Sequence, residues 1–382
     1  MGRVAGFIRR NWLMLAVAAV LVILFQRADT GEIVHTFVNV SWGWVSLAVL
    51  ANFFSIMLKV VSWKVIFDSG FDGIRSRWLN LTSALMIGFL VNLVIPARMG
   101  ELARAFVIKR RQSIEGQPVS NSTVLGTVAL ERVFDGIAMA MITIYGVTRM
   151  NLPGWADRGA VVLVVVSLFF AAALIILEST RERLQARVEA ATEEEQQGWW
   201  RRQFMRLRGI VARFSDGQRV LRRPGRVAVI CAATAGSWLS QLLAVYFALS
   251  AFHIGLAGML GALMLLILMN IAGALPATPG NVGIFQLATV IPLTVTYDKI
   301  TYSSALAFSV GLQIIEGSIG AGVGSIFLVR EGLSFDQVRQ GSVKELGRPG
   351  ADTGRREQPE EAAQPGEAML EKEAAPQLTR AG

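Results

Sequence analysis

The chain has 382 residues, 53% of them hydrophobic and 17% charged, and 37 Lys and Arg against 28 Asp and Glu give a formal net charge of +9. Soluble domains carry roughly 25% charged residues, so this composition, with a mean hydropathy of +0.48, excludes an ordinary soluble globular protein. Nor does the positive excess indicate nucleic acid, because the arginines gather in loops on one predicted side of apolar windows, which is how membrane topology is encoded.

The first apolar window, 12–26, follows Arg3, Arg9 and Arg10. No small-residue cleavage pattern follows at Gln26-Arg27, so the window is read as an uncleaved first span rather than a signal peptide. The second span covers 43–63. Next comes Leu79 to Pro96; if it crossed, Arg104, Lys109, Arg110 and Arg111 would lie outside, against the positive-inside rule. The pattern instead predicts a re-entrant segment that enters from the cytoplasm, turns at Pro96 to Gly100 and returns as a short helix to Lys109.

Spans over 121–147 and 159–178 follow, then a polar segment from Arg181 to Arg226 with Glu193 to Glu195, Trp199, Trp200, Arg201 and Arg202. A basic, Trp-bearing stretch of this kind suits a helix lying on anionic headgroups. After a span at 227–250, the stretch from Leu256 to Pro292 is too long for one crossing and carries Pro276, Pro279, Gly280 and Gly283 at its middle. It predicts a second hairpin, facing outward. The last span covers 300–329, and from Glu331 the composition turns to Pro, Gly, Glu, Gln and Ala, as in a disordered tail.

The expected fold is an all-α polytopic membrane protein with about six full spans plus two re-entrant broken-helix hairpins. Its two halves have the same order and opposite orientation, an inverted repeat. Residues 1–330 form the membrane domain, including the cytoplasmic loop 181–226, and 331–382 form the tail. Both termini are expected in the cytoplasm and the protein in the cell membrane.

Broken helices survive in hydrocarbon only where protein or a wet cavity satisfies the freed backbone. The two breaks differ chemically. The first carries Arg98, Glu101 and Arg104, three residues apart, while the third span carries Glu131, Arg132 and Asp135. Each such charge costs about 2.5 to 3.5 kcal/mol at mid-bilayer, so these residues are expected to face inward and pair. Glu131 and Asp135, at i and i+4, repel unless a cation intervenes. The six residues sum to zero, which suits an architectural ion network; the functional alternative is an Arg that receives an anionic headgroup together with the N–H groups after Gly100.

The second break is neutral. Asn270, Asn281 and Gln286 either satisfy freed backbone groups or contact ligand. Glu316, three residues after Gln313 in the last span, places a carboxylate near mid-membrane. Gly320 and Gly324 form a GxxxG spacing suited to close helix packing. His35, His253 and the lone Cys231 form no ligand cluster, so no metal or cofactor is expected, and no catalytic motif supports an enzyme.

In these blocks the chain resembles the lysylphosphatidylglycerol synthase transmembrane-region family, the flippase-like domain. The resemblance rests on Asn92 to Arg104 (N-x-x-x-P-x-R-x-G-E-x-x-R), Glu131 to Asp135 (E-R-x-x-D) and Pro276 to Gly283 (P-x-x-P-G-x-x-G), and covers residues from about 10 to 330. It departs from the family at Asn281, where a second Gly is common, and at Gln286, where a Glu is common. The resemblance implies a membrane domain that binds, and in some members translocates, phospholipid or a related anionic lipid-linked substrate. The alternative is a subunit that presents lipid to a separate synthase or glycosyltransferase. No soluble aminoacyltransferase domain is expected after residue 330.

Overall fold

The computed structural model describes residues 21–71, 73–95, 99–149, 219–273 and 278–347, with isolated positions between 158 and 169. Among the described residues the regular structure is entirely helical. In chain order the helices are α1 (Thr30–Val38), α2 (Trp42–Gly70), α3 (Trp78–Val94), α4 (Gly100–Ile114), α5 (Asn121–Arg149), α6 (Pro224–Ala251), α7 (Gly258–Gly273), α8 (Ile284–Thr296), α9 (Tyr302–Arg330) and α10 (Phe335–Gly347).

Local chemistry sets several boundaries. The Asp29 side chain accepts from the Gly31 N–H at 2.8 Å and so caps α1. Thr301 caps α9 by accepting from Ser304 N–H at 3.2 Å, and Pro224 opens α6 where its missing N–H costs nothing.

Among the described residues, four helices are long and apolar enough to cross a membrane: α2, α6, Gly255–Gly273 and α9. Three of them coincide with the expected spans at 43–63, 227–250 and 300–329. The fourth contains α7, which was expected as one arm of a hairpin. The expected span at 121–147 falls on α5, 29 residues long with Glu131, Arg132 and Asp135 among them, and α5 is not one of the four. Most of the expected span at 12–26 and the span at 159–178 lie outside the described residues, as does the loop over 181–218. Trp42, Leu50 and Phe54 of α2 and Ile314 and Ile326 of α9 are exposed, an outward apolar surface that hydrocarbon tolerates and water does not.

Small residues let the helices approach. On the seam between α2 and α6, Ser55 and Ser237 hydroxyls lie 3.0 Å apart and Gly236 faces Leu58. Along α9, Gly317 meets Leu93, Gly320 meets Phe89 and Gly324 meets Met86 and Leu90. A Cβ at Gly324 would sit 2.7 Å from the Met86 carbonyl oxygen. The GxxxG pair therefore packs against α3, and the rising α9 numbers against falling α3 numbers make the two helices antiparallel.

Each break joins two helices that fold back on each other. Gly88 of α3 packs on Gly100 and Arg104 of α4, while Asn80 Nδ2 donates to Glu115 Oε1 at 3.0 Å near the open end. The α7–α8 pair closes the same way: Tyr297 O–H donates to the Ala257 carbonyl at 3.2 Å, and Gly261 packs on the Tyr297 ring. The open end of α3–α4 lies by the C-terminus of α9, where Glu331 accepts from Ser83 at 2.7 Å and pairs with Arg111 at 2.5 Å.

The expected tail does not begin at Glu331. Residues 335–347 form α10, which packs on α4 with Leu333 and Val338 buried and Gly341 against the Phe106 ring. Its apolar positions are few and widely spaced, which hides a packed helix inside a polar composition. The remainder, 348–382, lies outside the described residues.

Candidate functional site

The first ionic group forms because α4 lies close against α3 and α5. A Cβ at Gly88 would come within 2.6 Å of Arg104 Cγ, so only glycine lets the Arg104 stem pass. Arg104 Nη2 then donates to Glu131 Oε2 at 2.5 Å, and its guanidinium stacks 4.1 Å over the Trp63 ring. Trp63 Nε1–H in turn donates to Thr127 at 3.2 Å. Arg104 and Glu131 are both buried. Two desolvated charges there stabilise each other strongly only while both are present.

One turn further along α5, Asp135 is bound by a residue that sequence reasoning missed. Lys59 Nζ donates to both Asp135 oxygens at 2.7 Å and lies 5.3 Å from the Trp238 ring centroid. A signal existed, since Lys59 is the single charged residue in the expected span at 43–63. Arg132 is held more loosely, 3.4 Å from Glu101 and 3.6 Å from Asp135, with a side chain 42% exposed. The cluster of Lys59, Arg104 and Arg132 with Glu101, Glu131 and Asp135 balances three cations against three carboxylates. The expected hexad held Arg98 and lacked Lys59; Arg98 and Pro96 lie outside the described residues.

At the start of α4, Asn92 Oδ1 accepts from the Gly100 N–H at 2.7 Å. A Cβ on Gly100 would fall 2.3 Å from the Gly88 carbonyl oxygen, so the residue after the first break must be glycine.

The second break closes through amides. Gln286 Oε1 accepts from the Gly283 N–H at 2.6 Å and its Nε2 donates to Gln313 Oε1 at 2.6 Å; Gln313 Nε2 donates to the Gly280 carbonyl at 2.8 Å. Gly283 sits at φ +88°, Gly280 at +60° and Asn281 at +57°, a left-handed turn that glycine and Asn adopt readily. Gln286 thus serves the freed backbone, one of its two expected roles. Asn270 donates to the Leu266 carbonyl one turn back at 2.8 Å. Pro279 begins the short turn Pro279–Asn281, and Pro276 lies outside the described residues.

The two breaks meet. A Cβ at Gly280 would lie 3.3 Å from the Leu93 carbonyl oxygen, at the end of α3. Beside this contact a cavity of about 490 Å³ opens between α2, α5, α6, α9 and both breaks. Lys59, Arg132, Asp135, Gln241, Gln313 and Glu316 line it, with Asn270 and Asn281 contributed by the helix and turn around the second break. Glu316 Oε1 accepts from Gln241 Nε2 at 3.0 Å. Among the described residues, no cation pairs with Glu316. Of the remaining expected site residues, Glu101, Arg104, Glu131 and Gln286 are not in the lining; Glu101 contacts the lining residue Arg132 and Gln286 the lining residue Gln313.

This arrangement can offer a guanidinium, an ammonium, a carboxylate and several amides to a polar group while apolar surface surrounds the bundle. Residues 11–324 match the family described as the lysylphosphatidylglycerol synthase TM region. A glycosyltransferase of Haloferax volcanii, AglD, is 30% identical over 149 residues, which is 39% of this chain and 22% of that protein. The chain thus matches less than a quarter of that relative's length. No solved structure matches.

Proposed function

The chain belongs to the lysylphosphatidylglycerol synthase transmembrane-region family, and from that premise we propose that it binds phospholipid or a related anionic lipid-linked substrate and translocates it across the bilayer. The observation that carries this reading is the polar cavity at the meeting of the two breaks, with Arg132 partly exposed in its wall. An exposed guanidinium matches phosphate geometry and stays charged at any working pH. Arg104, buried on Glu131, positions α4 instead of meeting the headgroup.

In this reading the two antiparallel helix pairs are re-entrant hairpins that enter from opposite faces, completing an inverted repeat with the breaks at the midplane. The open end of α3–α4 gathers Arg75, Arg77, Arg110 and Arg111, and the opposite end near Lys299 is poor in basic residues. The positive-inside rule then puts the α3–α4 open end, both termini and the loop 181–226 in the cytoplasm of a cell-membrane protein, with the loop on anionic headgroups. No aminoacyl transfer is assigned to this chain, and substrate release follows from separation of the hairpins.

Reconstitution into vesicles with a headgroup-labelled phospholipid tests the proposal. Wild-type protein should move label between leaflets, and Arg132→Ala should slow that movement about tenfold or more, as expected for loss of a charged contact. Equal rates in wild type, variant and empty vesicles would overturn it.

The similarity to AglD favours a second reading, in which the domain presents a lipid-linked substrate to a separate glycosyltransferase or synthase. Lipid binding without leaflet exchange in the same vesicles would select it.

A further inference from the structure

The seam between α3 and α9 forms one wall of the cavity, where Phe89 and Leu93 face Gly317 and Gly320. From there it runs through Gly324, packed on Met86 and Leu90, to the end of α9. Along this length the contacts are apolar side chains and backbone, and packing of that kind gains little in hydrocarbon, because lipid tails are as apolar as the side chains they replace. The polar contact comes at the end. Ser83 of α3 donates to Glu331 at 2.7 Å, and the same carboxylate pairs with Arg111 of α4 at 2.5 Å. Among the described residues, no other hydrogen bond or ion pair joins α3 to α9 or its C-terminal cap. One side chain, only 6% exposed, thus fastens both arms of the first hairpin to the end of α9.

The chain then turns back. Gly332 adopts φ +60° and the Leu333 N–H donates to the Leu328 carbonyl at 3.1 Å, which closes α9. Ser334 and Gln337 cap α10 reciprocally, at 2.9 and 3.2 Å. Leu333 and Val338 are buried and Gly341 lies against the Phe106 ring of α4, while Asp336 and Arg339 pair on the exposed face. Because α10 is joined to α9 through only residues 331–334 and packs on α4, α4 cannot move far from α9 without breaking the Glu331 contacts and peeling α10 away.

We infer that Glu331 and α10 form a latch at the open end of α3–α4, a conformational restraint that keeps the α3–α9 wall of the cavity closed until Glu331 releases Ser83 and Arg111 and α10 leaves Phe106. The inference rests on the reading of the first hairpin as an element that moves against α9. It places the restraint in residues that do not line the cavity.

Spin labels at Ile114→Cys and Val329→Cys, exposed positions near the ends of α4 and α9, report the latch in the full chain in lipid nanodiscs, with Cys231→Ser as background. Wild type should give one dominant separation. Glu331→Gln removes the charge on Arg111, and Val338→Asp puts a carboxylate into the buried face of α10. Each should raise the population of a longer separation about tenfold or more, the size of one hydrogen bond to a charged group. Arg111→Glu combined with Glu331→Arg reverses the ion pair and should return the distribution toward that of wild type, whereas Asp336→Asn, on the exposed face, should leave it unchanged. Identical distributions in wild type, Glu331→Gln and Val338→Asp would overturn the inference.

Amide hydrogen exchange of the wild type needs no variant to fold. The amides of α10 should be protected alongside the last turns of α4, and α10 amides that exchange as freely as those of an unpacked helix would overturn the latch. Leaflet exchange of a labelled phospholipid in vesicles separates this inference from the transport reading. Glu331→Gln should exchange lipid faster than wild type, and a wider seam with slower exchange would overturn the restraining role. The expected separations without lipid exchange in any of the proteins would remove the transport reading and keep the latch.

Discussion

Arg104 Nη2 and Glu131 Oε2 lie 2.5 Å apart beneath the Trp63 ring, with side chains only 3% and 2% exposed. Either residue alone would be an uncompensated charge in a dry site. Arg104→Met or Glu131→Leu should therefore destabilise the protein by about 3–5 kcal/mol, and the double variant should recover most of the loss. Thermal unfolding in detergent measures this; single variants as stable as wild type would show that the pair holds nothing.

Lys59 and Asp135 should couple more weakly, because both are partly exposed to the cavity. A double-mutant cycle with Lys59→Met and Asp135→Asn is expected to give an interaction of about 0.5–3 kcal/mol. The double variant should fold yet transport lipid poorly, since Arg132 loses one of its two anchors. Full transport by the double variant would confine this pair to architecture.

The α9 glycines make a sharp contrast. A Cβ at Gly324 would meet the Met86 carbonyl oxygen at 2.7 Å, whereas Gly322 has nothing within 4 Å. Gly324→Ala should cost about 1–3 kcal/mol through overpacking. Gly322→Ala should be neutral or stabilising by about 1 kcal/mol, through helix propensity. Unfolding temperatures that rank the two variants the other way would contradict the α3–α9 packing.

Cross-linking reports whether that packing must open. With Cys231→Ser as background, Phe89→Cys and Gly320→Cys should oxidise after the helices part by a few tenths of an ångström, since a Cβ at Gly320 lies 3.1 Å from Phe89 Cβ and disulfides span about 3.5–4.5 Å between Cβ atoms. If α3 leaves α9 during translocation, the oxidised protein should stop and reductant should restart it. Undiminished leaflet exchange in the oxidised protein would rule out that motion.

Accessibility labelling addresses topology. Cysteines at Arg110 and Lys299 should react from opposite sides of sealed vesicles; reaction from one side would end the inverted-repeat reading.

Much of this was legible before any coordinates. The breaks at Pro96 to Gly100 and Pro276 to Gly283 stand out because proline and glycine interrupt apolar windows, and α5 stands out because charges in such windows are costly. The GxxxG spacing at Gly320 and Gly324 indicated close packing. The pairing of the charges was legible only in part: Arg104 of the half-helix meets Glu131, as one of the two candidate cations. Lys59, which the expected hexad lacked, is the cation on Asp135, and α10 was hidden by a composition that reads as a tail.

The class of protein, the positions of the breaks and the charges that need partners can be read from the residues alone, because each follows from the cost of placing a backbone or side-chain group in hydrocarbon. Which charges pair and which face the cavity is a matter of helix packing. Pairing depends on the rotation and axial offset of one helix against another: Asn52, Ser55, Lys59 and Ser62 mark one face of α2, but nothing in their spacing says which turn of which helix that face meets. Once Lys59 meets Asp135 and Arg104 meets Glu131, Glu316 is the carboxylate left without a cation among the described residues.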